Sequence, residues 1–250
     1  MLRRVSVRSF VGLVVIVGLV CGTQALAQQP AQEQGRGGRA GGGGGGGRPA
    51  PPTLTMKAEW QATKGTEQVP VVQGTVVDPN LELKQYGAGK KLLNPGGGDP
   101  GTVWSGECDA PFAITFRPRD HMMDLTGQAK IRWTTKTSGF HVVRPVLKLA
   151  DGTMMVGDFF SENVPMLAMT EFPIATIHWI KLDPERVVTV SSPGNANNEI
   201  WVQNPDLSKV DEVGFADLIP GSGHGTGGYI HLGSIEVYGK SVPRGATASR

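Results

Sequence analysis

Short alternating or β-branched apolar runs recur along residues 53–240 of this chain, separated by glycine, proline, asparagine or aspartate. Alternation is the period of a β-strand, whose successive side chains point to opposite faces. No long 3.6-residue apolar period is present. The pattern predicts strands at 69–77, 112–117, 129–135, 142–149, 153–159, 176–182, 187–190, 200–203, 210–217 and 229–238. Turns are expected at 136–139, 150–152, 192–198 and 220–228, while 78–100 reads as an irregular excursion with one short helical turn. Many short strands with glycine-rich turns predict an all-β protein, an antiparallel β-sandwich or jelly roll.

Alternation also assigns faces. Ala129, Ile131 and Trp133 share one side and Lys130, Arg132 and Thr134 the other. Val143, Pro145, Leu147 and Leu149 are expected inward, which turns Arg144 and Lys148 outward. Ile180 and Leu182 are expected inward with His178, leaving Trp179 and Lys181 opposite; Ile200 and Val202 inward leave Trp201 and Gln203 outward. A register slip of one residue would reverse any of these assignments.

The beginning of the chain has a different character. Arg3, Arg4 and Arg8 precede an 11-residue apolar run from Phe10 to Val20, then Ala25-Leu26-Ala27. This is the form of a secretory signal peptide, and the run is too short for a transmembrane helix. Cleavage after Ala27 is expected, with a secreted or periplasmic location. Residues 28–52, rich in Gln, Gly, Arg and Pro, read as a disordered linker, and 241–250 as a loose tail. The span 53–240 remains as one domain large enough for its own core.

Charge and cysteine narrow the function classes. The whole chain carries +2, but the three early arginines hold +3 and the linker +2, so 53–250 carries −3. A slightly acidic domain does not suit nucleic acid. Cys21 lies in the signal region, so Cys108 has no partner for a disulfide and reads as a small buried apolar residue.

Three stretches carry a resemblance. "MDLTGQAKIRWTTKTSG" (123–139), "WIKLDPE" (179–185) and "PDLSKVDEVGFADLIPGSGHGTGGYIHLGSIEVYG" (205–239) resemble, in that order, the galactose-binding-like jelly rolls found among bacterial carbohydrate-binding modules. The resemblance implies a β-sandwich that is usually non-catalytic, often with a structural calcium ion and a sugar site on one face or rim. Glu107 or Asp109 with Glu236 are the calcium candidates, Glu236 standing where the family usually has Asp.

The outward residues suit a glycan. Trp179 and Trp201 offer flat faces for the C–H side of a sugar, and Arg132, Arg144 and Gln203 offer hydrogen bonds. The glycine-rich loop at 221–228 adds His224. The bland alternative is a solvated face with tryptophans packed in the core, as expected for Trp133. The histidines show no zinc spacing, and no Gly-x-Ser-x-Gly, P-loop or dinucleotide motif occurs. "FRPRDHMMDL" (116–125) is the place an enzyme of carbohydrate metabolism would use. The expected function is therefore non-catalytic saccharide binding, with an envelope structural or protein-interaction domain and a carbohydrate-active enzyme as rivals.

Overall fold

The structure, a computed structural model, describes residues 50–63, 69–106, 108–161, 164–220 and 228–244. Among these residues there is no α-helix, only three 3-10 turns, at Gln73–Thr75, Ala88–Leu92 and Ile174–Thr176. The strands are, in chain order, β1 (Thr53–Ala58), β2 (Leu81–Tyr86), β3 (Asn94–Pro95), β4 (Val103–Trp104), β5 (Phe112–Pro118), β6 (His121–Asp124), β7 (Lys130–Thr137) and β8 (Arg144–Leu149). There follow β9 (Met154–Gly157), β10 (Ala168–Pro173), β11 (Trp179–Asp183), β12 (Val188–Thr189), β13 (Ser191–Ser192), β14 (Asn195–Glu199), β15 (Val210–Asp217) and β16 (Ile230–Pro243).

All pairings among them are antiparallel. One layer runs β10–β7–β16–β1, with β4 and β3 continuing beside the start of β16. The other runs β2–β5–β15–β8–β9–β11–β12. β16 belongs first to one layer, then pairs through Lys240–Pro243 with β6, which meets β15 at Val210↔Met123. The layers face each other across an apolar core. Trp133 of β7 stacks on Phe215 of β15 with ring centroids 5.3 Å apart, and Phe172 of β10 meets Trp133 edge-on at 4.7 Å. The buried indole N–H of Trp133 donates to Ser161 Oγ at 3.0 Å, so no polar atom of that side chain is stranded. This is the expected antiparallel β-sandwich.

The second layer is also covered on its outer face. Ala113, Val146, Met154, Val156, Ile180, Leu182 and Ala216 form a smaller apolar cluster there, closed by Val187. Val187 adopts φ 54°, unusual for a β-branched residue, and its N–H returns to Asp183 O at 2.8 Å. That turn folds the chain back over the sheet.

Several boundaries differ from expectation for local reasons. No strand forms at 69–77: Gln73 instead uses its side-chain amide as a strand edge, donating to Leu81 O and accepting from Leu83 N–H, both at 2.8 Å. The excursion at 78–100 contains β2, whose alternation spans only Leu81–Lys84 before Gln85 breaks it. Residues 200–203 form only a single bridge, Trp201↔Ile180. The turn at 192–198 holds the small β13–β14 hairpin. The closing strand does not stop near Gly239 but runs to Pro243.

Candidate functional site

A groove lies along one side of the sandwich. It sits where the chain passes from β10, at the edge of one layer, through the 3-10 turn at Ile174–Thr176 to β11 in the other. Its volume is about 690 Å³, within the range of small-molecule sites. The opposite wall is 201–207, held against β11 by Lys181 N–H to Ile200 O and Val202 N–H to Trp179 O, both 2.8 Å. Alternation then sets the side chains: Val202 packs on the core while Trp201 turns out, 44% exposed. Asn204, at φ 47°, bends the chain so that Gln203 and Asn204 stand exposed on the rim before Pro205.

His178 forms the third side. Its backbone N–H donates to Asp158 Oδ1 and its ring Nδ1–H to Oδ2, both at 2.9 Å. This double hold sets the ring edge-on to Trp201, 6.4 Å between centroids and 80° between planes. It leaves Nε2 as the ring's remaining polar atom. His178 is largely exposed, not inward as expected. The floor is Ile174, Ile177 and Trp179, all buried, with Ala175, Pro205 and Leu207 around it.

Trp179 requires a correction. It is 2% exposed and packs in the main core, so it is groove floor and not an outward platform. The reason is that β11 is covered on both faces, so Ile180 and Leu182 bury themselves in the outer cluster and Trp179 in the inner one. The Trp179 indole N–H has no hydrogen-bond partner among the described residues.

The two predicted arginines do not join this groove. Arg144 lies on the outer face of the second layer, its guanidinium 5.6 Å from the Phe160 ring centre and donating to Gly157 O at 3.4 Å. Arg132 lies on the outer face of the first layer, donating to Glu171 Oε2 at 2.7 Å and Glu236 Oε2 at 3.3 Å. Alternation correctly turned both away from the core, but a sandwich has two outer faces and periodicity does not say which one a strand shares. His224 and Glu107 fall outside the described residues. Of the groove residues not assigned to a site from sequence, His178 is placed inward by alternation, and Asn204 and Leu207 lie in a loop that carries no periodic signal.

Of the calcium candidates, only Asp109 and Glu236 lie among the described residues, and they belong to different layers. Glu236 accepts from Arg132 and from Tyr238 Oη–H at 2.6 Å, and Asp109 is exposed ahead of β5 in the other layer. Among the described residues no group of three His, Cys, Asp or Glu is placed to hold a metal ion.

Three other polar clusters are internally satisfied or inert. A bulge in β15 between Val210 and Glu212 puts Asp211 and Glu212 together on the outer face of the second layer. Buried Glu212 accepts from Thr115 at 2.5 Å, Tyr86 at 2.8 Å and Lys148 at 3.1 Å, while Asp211 pairs with Arg117 and Arg244. Burial, above all, pushes the Tyr86 phenol up to about 12, so it stays a hydrogen-bond donor. In the 116–125 stretch, His121 engages Asp120 through Nδ1 at 2.7 Å and Thr55 O through Nε2 at 3.1 Å. Cys108 is buried, its thiol pushed up to about 12 chiefly by desolvation, and it donates to Gly89 O. A neutral buried thiol is not a nucleophile.

No protein family and no curated protein matches the sequence. Among solved structures, the chain is similar to the family 11 carbohydrate-binding module of the Clostridium thermocellum cellulase Lic26A-Cel5E, at 13% identity and TM-score 0.34 over 64% of this chain and 83% of that one. The same module in complex with a β-1,3-1,4-mixed-linked tetrasaccharide aligns at 12% identity and TM-score 0.34 over 73% and 95%. PfGH50B aligns at 13% identity and TM-score 0.36 over 68% of this chain, which spans only 24% of PfGH50B. With TM-scores below 0.5, what these proteins bind does not carry over to this chain.

Proposed function

We propose that this chain is an exported, non-catalytic β-sandwich domain that binds a saccharide in the groove between Trp201, His178 and the 203–207 rim. The observation that carries the reading is a half-exposed tryptophan on the wall of a groove of about 690 Å³, with Gln203, Asn204 and His178 beside it. A sugar ring stacks its C–H face on an indole while amide and imidazole groups take its hydroxyls. The 123–139 and 205–239 stretches that resemble galactose-binding-like jelly rolls make up β7 and β16, at the centre of one layer, and β15 in the other, which supports the same family reading. The signal-like start of the chain supports the exported location.

The test is calorimetric titration of glycans chosen by array screening. Trp201→Ala is expected to weaken binding by about 2 kcal/mol, some thirtyfold in Kd. Unchanged affinity in that variant would exclude the groove.

A second reading, a protein-interaction domain, has one observation in its favour. Met166 and Met169, 69% and 68% exposed, stand with Leu167 in and beside edge strand β10. Cross-linking to a protein partner that is lost in Met169→Glu, without any glycan affinity, would select it.

A further inference from the structure

We propose that Asp158, which does not itself line the groove, is a positioning residue that fixes the tautomer of His178. The fixed ring offers Nε2 as an acceptor, so the site selects a sugar whose hydroxyl donates a hydrogen bond there; this rests on the saccharide reading. The inference comes from how the two oxygens of the carboxylate are used. Asp158 follows the last residue of β9, and its N–H donates to His178 O at 2.9 Å, one step beyond the Trp179↔Gly157 pair. Gly157 lets the chains come this close, since a Cβ there would meet Ile177 Cγ2 at 2.7 Å. Asp158 Oδ1 accepts the His178 backbone N–H and Oδ2 faces ring Nδ1, both at 2.9 Å.

A carboxylate only accepts hydrogen bonds, so the proton of the neutral ring sits on Nδ1 and Nε2 keeps its lone pair. The ring is largely exposed, lines the groove and stands edge-on to Trp201. No other lining side chain offers an acceptor alone. None is Asp or Glu, Gln203 and Asn204 both donate and accept, and the indoles of Trp179 and Trp201 only donate. A sugar hydroxyl at Nε2 therefore gives its proton to the ring. A substituent that can only accept, such as fluorine, would set lone pair against lone pair.

The polarity can be reversed with every heavy atom in place. In Asp158→Asn the His178 backbone N–H still requires an oxygen, so the amide keeps Oδ1 there and turns its NH2 to the ring. Nδ1 must then accept, the proton moves to Nε2, and the groove presents a donor where it held an acceptor. Long-range 1H–15N spectra of the full chain at about pH 8 read the tautomer, with the His178 signals identified by their loss in His178→Gln. Protonated Nδ1 is expected in the parent protein and protonated Nε2 in Asp158→Asn. Titration with the best glycan from array screening is expected to show at least roughly tenfold weaker binding to the Asn variant, the effect of one polar contact turned unfavourable. Among singly deoxyfluorinated forms of that glycan, one is expected to lose roughly tenfold on the parent protein but less than about threefold on Asp158→Asn. If Asp158→Asn melts early, the parent protein still carries the test, because glycan addition is expected to move its Nε2 resonance. An Nε2-protonated ring in the parent protein or an Nε2 resonance indifferent to glycan would overturn the proposal and leave saccharide binding intact. So would an unswitched tautomer or unchanged affinity in Asp158→Asn. Failure of every glycan to bind would remove both.

Discussion

Trp179 and Trp201 line the same groove from opposite environments, and substitution should separate them. Trp179→Ala empties a core position and is expected to cost about 3–5 kcal/mol in urea unfolding. Trp201→Ala should change stability by less than about 0.5 kcal/mol while removing most of the affinity. The reverse pattern would mean the groove wall, not its floor, holds the fold. His231 gives a residue-scale pH effect. Burial, first of all, drives its imidazole down to about 4 from 6.5, with Asp99 pulling it up and Lys136 pushing it down. Its Nδ1 faces Thr102 Oγ1 at 3.3 Å and Asp99 at 3.2 Å, between the Trp104 and Tyr229 rings. The folded chain therefore prefers neutral His231, and the unfolded chain takes a proton first as pH falls. This contribution is complete above pH 6.5 and declines as pH falls toward 4. Urea midpoints at pH 7 and 4.5 should differ less in His231→Gln than in the parent protein. At this scale alternation was informative for Trp133 and Trp201. It misassigned Trp179, because a strand covered on both faces carries no inside-outside contrast.

Among the elements, β15 shows most clearly how local sequence and neighbours interact. Its predicted bounds match the observed ones, and the polar doublet Asp211-Glu212 between Val210 and Val213 interrupts the alternation where the bulge lies. Gly214 lies in the middle of the strand because a Cβ there would come within 1.9 Å of Ile114 O and 2.6 Å of Thr115 Cα on β5. Gly214→Ala should therefore destabilise by about 3 kcal/mol, the upper range of overpacking, measured as a fall in the urea midpoint. An unchanged midpoint would show that β5 and β15 can separate freely. β2 and β10 escaped prediction for a shared reason. Each is an edge strand, and edges are blunted by charge and proline: Glu82 and Lys84 in one, Glu171 and Pro173 in the other.

At the scale of the whole molecule, β16 is the element that ties the layers together, pairing with β7 and β1 in one and with β6 beyond Gly239. Arg244 extends the link by donating to Pro118 O and pairing with Asp211. A chain ending at Gly239 should melt at least about 5 °C lower, since domains of this size lose roughly 2–4 °C per kcal/mol, while keeping the groove's ligand affinity. An unchanged melting temperature would show that Lys240–Pro243 is an ornament of the fold. By itself the amino-acid order determined the all-β class, the antiparallel sandwich, most inner strands and the core place of Trp133, because period-2 burial is a local property written along each strand. Only the tertiary structure decided which outer face each strand shares, that Arg132 and Arg144 lie on opposite layers, and that Trp201, His178, Asn204 and Leu207 meet in one groove. Those facts depend on chain segments tens of residues apart coming together, and no local period encodes that.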